Sequence, residues 1–432
     1  MCLNVGMDEH PVRLAVDDDL QRNRWTVFFR LILAIPLFIW LFLWSIAVVF
    51  AAIANWIATL VRGTPPGGLH RFMCSYVRFT VHFDAYLWLI GNPYPGFMGE
   101  EGEYPIDVTF PQPTAQRRWS VFFRLFLALP ALLVASALGG SSGGSLSFVG
   151  GRRRYGGGAG GGGGALGFVV AILGWFASLA RGRMPKGLRD AGAYGIGYSA
   201  QAAAYLLLVT DRYPNADPTA MLDGVDRPPE HPVRLVGDPH DLRRSRVTVF
   251  FRLLIAIPHI IWLALWGIAV IFAIIANWFV ILFRGTPARP LHRFVAAYLR
   301  QRLHVVSFLT LTANPFPGFV GEYGRYPLDL ELPGPAPQNR WETFFRIFLA
   351  IPALLVSGAL GGALFWCAVW TWFYALARGS APWGLRNLAA YALRYDAQTV
   401  SYLLLLTDTY PHASPLEGAP TPQHEFAEAL AA

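Results

Sequence analysis

Four long apolar runs, each opening on the same short line, set the limits on what this chain can become. The line is Phe-Phe-Arg and, five residues on, an apolar residue followed by Pro. It reads Phe28-Phe29-Arg30 with Pro36, Phe122-Phe123-Arg124 with Pro130, Phe250-Phe251-Arg252 with Pro258, and Phe344-Phe345-Arg346 with Pro352. The run behind it holds about 31 residues, or roughly 46 Å as helix, against a bilayer core of roughly 30 Å. Of the 432 residues, 54% are hydrophobic and only 14% charged. Soluble domains carry about 25% charged residues, and a lipid-facing surface explains the deficit.

The net charge is +8 and rests on arginine. Those arginines cluster at the ends of the apolar runs, where they anchor helices. Nucleic acid is therefore excluded as a partner. Cys2, Cys74 and Cys367 lie far apart, with no CxxC and no even count for a disulfide framework. No signal-peptide apolar region precedes the first run.

The runs belong to larger repeats. Arg62-Gly63-Thr64-Pro65 returns as Arg284-Gly285-Thr286-Pro287, and His70-Arg71-Phe72 as His292-Arg293-Phe294. Copies one and three match best, as do copies two and four, so a two-repeat unit is duplicated. The expected domains are repeat 1 at 1–99, repeat 2 at 100–216 and repeat 3 at 232–322, with repeat 4 at 323–412. Repeat 2 carries a Gly/Arg-rich insert at about 139–164. A linker occupies 217–231 and a flexible tail 413–432.

Each copy has a short alternating strand, the apolar run closing on Arg-Gly, a helix-period segment, and a Pro-containing turn. The insert carries Arg152-Arg153-Arg154 at mid-run. At about 2.5–3.5 kcal/mol for each arginine at mid-bilayer, that point should lie outside lipid. Copy four has Gly358, Gly361 and Gly362 there. Each run is therefore expected to be a helical hairpin. The strands carry Arg13 and Arg234 in odd copies and Asp107 and Asp329 in even ones. They are expected to pair through these charges into a small cytoplasmic sheet. The fold class is an all-α integral membrane protein: four tandem repeats of helical hairpin plus amphipathic helix, with short β-strands. An even number of crossings per copy keeps every Arg-rich flank on one face. By the positive-inside rule, the termini are then cytoplasmic.

Two sets of residues stand out. Arg30, Arg124, Arg252 and Arg346 are candidates for lipid-headgroup or interface contacts. Arg78, His82, Gln201, Arg300, His304, Arg394 and Gln398 form a polar stripe on the third segment. That stripe fits an amphipathic helix in the headgroup plane, or else a shared polar path. Asn55 and Asn277 are expected to join helices. Asp84 and Asp396 are expected to be ion-paired. No metal spacing, phosphate loop or nucleophile elbow occurs, so no catalytic or metal site and no cofactor is expected.

The pattern Arg-Trp-x-x-Phe-Phe-Arg…Ile-Pro, then Arg-Gly, then Tyr-Leu-Leu-Leu-x-Thr-Asp-x-Tyr-Pro is fullest from Arg340 to Pro411. It resembles the domain-of-unknown-function family numbered 4389. The resemblance implies a bacterial multi-pass protein of the cell membrane with membrane lipids, and other membrane proteins, as partners. It carries no activity and no catalytic residues. The expected function is structural or accessory, within a cell-envelope complex and not enzymatic. The alternative is a transporter or channel whose path the third-segment helices line.

Overall fold

The computed structural model describes residues 10–139, 166–237, 242–416 and 418. In chain order the elements are β1 (Arg13–Val16), α1 (Arg24–Leu33), α2 (Ile35–Arg62), α3 (Gly67–Leu87), β2 (Ile106–Thr109), α4 (Arg118–Phe122), α5 (Arg124–Leu138), α6 (Leu166–Arg181) and α7 (Lys186–Leu206). There follow β3 (Leu222–Asp223), β4 (Arg234–Gly237), α8 (Arg246–Arg284), α9 (Arg289–Leu309), β5 (Leu328–Glu331), α10 (Arg340–Arg378) and α11 (Trp383–Leu403).

In copies three and four the apolar run is one helix, and in copy one it is interrupted only at Ala34, which corrects the expected hairpin. Arg24–Arg62, Arg246–Arg284 and Arg340–Arg378 are each 39 residues long, and each is long and apolar enough to cross a membrane. Asn23 and Asn339 start two of them by accepting the backbone N–H of Trp25 and Trp341. Gly63, Gly285 and Gly379 stop them in the left-handed conformation, directly after an arginine. Inside α10, Gly358 and Gly361 face open space. A mid-helix glycine costs only about 1 kcal/mol, too little to fold an apolar helix back on itself. Pro258 and Pro352 sit inside their helices, whereas the first run breaks at Ala34 between α1 and α2. In copy two the described helices of the run are α4, α5 and α6, and residues 140–165, with the insert, lie outside the described residues.

The chain divides into two units, Met1–Asp226 and Arg227–Ala432, within the stretch read as a linker. Each unit has three layers: long helices, inner helices and a sheet. In the first unit, α1–α2 and α4–α6 form the outer layer. Helices α3 and α7 form the middle layer and are buried on nearly every face. In the second unit the corresponding pairs are α8 with α10 and α9 with α11. Each long helix turns back into its own inner helix. Trp44 meets Tyr76 and Phe79, and Trp266 meets Tyr298, so mid-length faces mid-length.

The two copies in a unit run antiparallel and hold each other reciprocally. Arg24 at the start of one long helix donates to Ala180 O at the end of the other (3.1 Å), and Arg118 donates to Val61 O (3.2 Å). Arg246 with Ala377 O and Arg340 with Phe283 O repeat the exchange. Indole N–H groups do likewise: Trp56 to Val121 O, Trp175 to Val27 O, Trp278 to Thr343 O and Trp372 to Val249 O. The Arg-rich flanks of paired copies therefore lie at opposite ends of a unit. This removes the premise that every such flank shares one face, and with it the argument for cytoplasmic termini.

The strands pair, but not through the expected charges. Strand β1 lies antiparallel to β2 with Arg13 opposite Thr109, and parallel to β3. Strand β4 lies antiparallel to β5 with Arg234 opposite Glu331. Arg13 pairs with Asp223 (3.6 Å), and Arg234 with Glu331 (2.7 Å) and Glu230. Asp107 and Asp329 turn inward instead, because their β positions face the inner helices.

Candidate functional site

The polar stripe lies beneath the sheet rather than on a headgroup-facing surface. This corrects the reading of the third segment as an interfacial amphipathic helix. Each inner helix grips the strand of the other copy. His82 Nε2 lies 3.2 Å from Asp107 Oδ1, and His304 Nε2 lies 3.0 Å from Asp329 Oδ1. Tyr104 and Tyr326 stack on the two imidazoles. In the even copies the same position holds glutamine. Gln201 donates to Val12 O (2.8 Å) and accepts from Asn215 N; Gln398 donates to Val233 O (3.3 Å) and accepts from His412 N.

The stripe arginines bond main-chain carbonyls. Arg78 reaches Val108 O, together with the Asp107 and Glu101 carboxylates. Arg300 donates to Leu330 O (3.0 Å) and Arg394 to Ser414 O (2.6 Å). Copy two has Gly197 at this position, packed close to Leu14 and Met221, where an added Cβ would already lie 3.1 Å from the Met221 side chain. Burial pushes the carboxyls of Asp107 and Asp329 up. The histidine hydrogen bonds and the amides of Gly102 and Val108, or Leu330 and Gly324, outweigh it and hold both below the usual carboxylate range.

The Phe-Phe-Arg arginines are also spent inside the fold. Arg30, Arg124, Arg252 and Arg346 are each 2% exposed. Each reaches the turn that follows its own copy's inner helix, and Arg252 and Arg346 also reach the last turn of that helix. Arg252 donates to Phe308 O (2.6 Å) and Ala313 O (3.2 Å), and Arg346 to Tyr402 O (2.8 Å) and Thr407 O (2.6 Å). Arg30 bonds Gly91 O and Asn92 O; Arg124 bonds Thr210 O, Gln116 and Asp211. Each guanidinium also lies over an aromatic ring, that of Tyr86, Tyr205, Phe308 or Tyr402. None of these four faces a lipid headgroup.

Beside each socket the sequence reading missed a leucine. Leu89, Leu208, Leu311 and Leu405 have φ between 61° and 64°, the left-handed region that a branched side chain avoids. The bend turns their carbonyls toward side chains eight residues before each Phe-Phe-Arg arginine: Arg22, Gln116, Arg244 and Gln338. The signal was present as an Arg/Gln alternation in step with the His/Gln alternation of the stripe.

Asn55 donates to Leu207 O and so joins the copies, whereas Asn277 Oδ1 accepts from Ala288 N after its own helix. Asp396 pairs with Arg302 (2.6 Å). An open groove of about 280 Å³ in the second unit is lined by Glu230, His231, Arg234, Arg394, Gln398 and His412. Arg234 and Gln398 are already engaged there, with Glu331 and with Val233 O. Among the described residues no cluster of His, Cys, Asp and Glu is placed to hold a metal.

The sequence profile described as Domain of unknown function (DUF4389) matches residues 24–99, 163–216, 246–320 and 340–414. These segments make up well over half of the chain. The chain belongs to the DUF4389 family. Each matched segment contains one long-helix run, wholly or in part, and the inner helix that follows it. The strand that caps the neighbouring inner helix lies outside these segments in all four copies, at β1, β2, β4 and β5. No curated protein and no solved structure matches the chain.

Proposed function

We propose that this protein is a structural or accessory component of a bacterial cell-envelope complex, held in the cell membrane by its long apolar helices. One observation carries the reading. The polar side chains that could line a path or build a site are engaged inside the fold, copy to copy as His82 with Asp107 and Gln398 with Val233 O, or within a copy as Arg394 with Ser414 O. The surface left exposed is aliphatic and aromatic along every long helix, including Phe50, Phe272 and Phe348. Such a surface suits lipid.

Membrane lipids are the proposed immediate partners, and other membrane proteins the proposed assembly partners. Photocross-linking from exposed sheet positions such as Asp223 in intact cells tests this. A recurrent envelope protein is the expected product. Reconstituted vesicles test the transport alternative. A solute flux carried by the wild type and abolished by His82→Gln, with thermal stability retained, would overturn the structural reading.

A further inference from the structure

We infer that each unit, taken by itself, lies in the plane of the membrane, its long-helix layer sunk in one leaflet and its sheet facing water. This rests on the membrane-component reading and specifies how the protein meets lipid.

The charges on the sheet point first to this arrangement. His82, Asp107 and Arg78 place β2 across the middle of α3, and His304 with Asp329 place β5 across the middle of α9. Tryptophans 44 and 266 bring the midpoints of the long helices to the same level. Here the sheet exposes Asp223 and the turn leading into β2 exposes Glu101, with side chains 59% and 69% accessible, and in the second unit the sheet exposes Glu331 at 42%. A bilayer crossed along the helix axes would put these charges at its centre, where ionised groups are most costly. With the helices in the plane, the same charges stand on the aqueous side of the slab.

Length gives a second, independent argument. A 39-residue helix is about 58 Å long, nearly twice a hydrocarbon core of roughly 30 Å. Its exposed apolar surface runs almost from end to end, from Trp25 to Val61 in the first copy. A crossing helix would leave much of that surface in water or demand extreme tilt. In the plane there is no mismatch. A helix about 10 Å across fits within the roughly 15 Å depth of one leaflet.

Charge complementarity agrees. Arg24 and Arg181 are exposed at one end of the first unit, and Arg62 and Arg118 at the other. Antiparallel copies make both ends equally basic, so the positive-inside bias of a crossing helix is absent. Lying flat, both ends meet the anionic headgroups of the same leaflet.

The full-length protein in its own membrane provides the test. In a background with Cys2, Cys74 and Cys367 replaced by serine, single cysteines are placed by Arg24→Cys, Arg62→Cys and Asp223→Cys. Arg243→Cys and Arg284→Cys form an independent pair in the second unit. An impermeant maleimide is applied to intact cells and to inverted vesicles. The expected result is that every position in a unit labels from the same side. Fluorophores at Ile32, Phe50 and Val61 should be quenched equally by a nitroxide at a given acyl depth. Labelling of the two ends of one long helix from opposite sides would overturn the in-plane seating alone. Recovery of the protein in the carbonate-soluble fraction would overturn both this inference and the membrane reading beneath it.

Discussion

An arginine enclosed in carbonyls is a different residue from an arginine at a headgroup, and Arg346 shows the difference. It joins the start of α10 to the end of α11 through Tyr402 O and Thr407 O, while stacking on Tyr402. Removing it takes a charged donor from both carbonyls, of which Tyr402 O keeps only the Leu405 amide, and an unmet buried acceptor costs about 1–3 kcal/mol. Arg346→Ala is expected to lower unfolding stability by about 3 kcal/mol or more, read as a loss of denaturation midpoint in detergent. Arg346→Lys should recover little, because a lysine lacks the planar fork that reaches two carbonyls. An unchanged midpoint in the alanine variant would show that the socket is dispensable. Asp329 makes a pH-dependent contribution. Its folded carboxyl sits below the ordinary range, so it stabilises above the unfolded value of about 3.9. That contribution is lost as pH falls through the still lower folded value. Asp329→Asn should flatten the acid limb of stability below about pH 4 in thermal melts taken at stepped pH.

At the scale of elements, repetition was legible and direction was not. The four Phe-Phe-Arg lines, the Arg-Gly stops and the alternating strands all mark real boundaries. The hairpin did not survive, because its argument assumed that mid-run meant mid-bilayer. The three arginines of the insert required only that the middle of the run be near water. A helix lying flat meets that requirement without turning back. Periodicity also found the polar stripe but could not say what covers it. The covering strand comes from the other copy, and spacing within one copy holds no record of that. Gly321 tests how closely these layers approach. At φ 64° it sits against the α9 backbone at Ala297 O and Gln301 N. Gly321→Ala should destabilise the second unit by about 2 kcal/mol through strain and displacement of that loop. A melting temperature within error of wild type would show that the loop yields freely.

At the largest scale the chain forms two compact units, Met1–Asp226 and Arg227–Ala432. The second unit has its own apolar core, including Val270, Leu299, Leu330 and Leu393. A fragment covering residues 227–432 is expected to insert into membranes and resist limited proteolysis as the full chain does. Rapid digestion of its α9 and α11 would contradict this. The strand exchange also makes copy number a matter of parity. Residues ahead of a first copy cap the second, and residues ahead of the second cap the first, so two copies close on each other and leave no polar stripe bare. A third would have no one to trade with. Truncation after residue 322 should therefore leave His304 without Asp329 and produce a chain that recruits another of its kind, visible as a cross-linked dimer absent from the intact protein. By this logic a chain of this architecture lengthens in steps of two, and any odd-numbered member completes itself only in company.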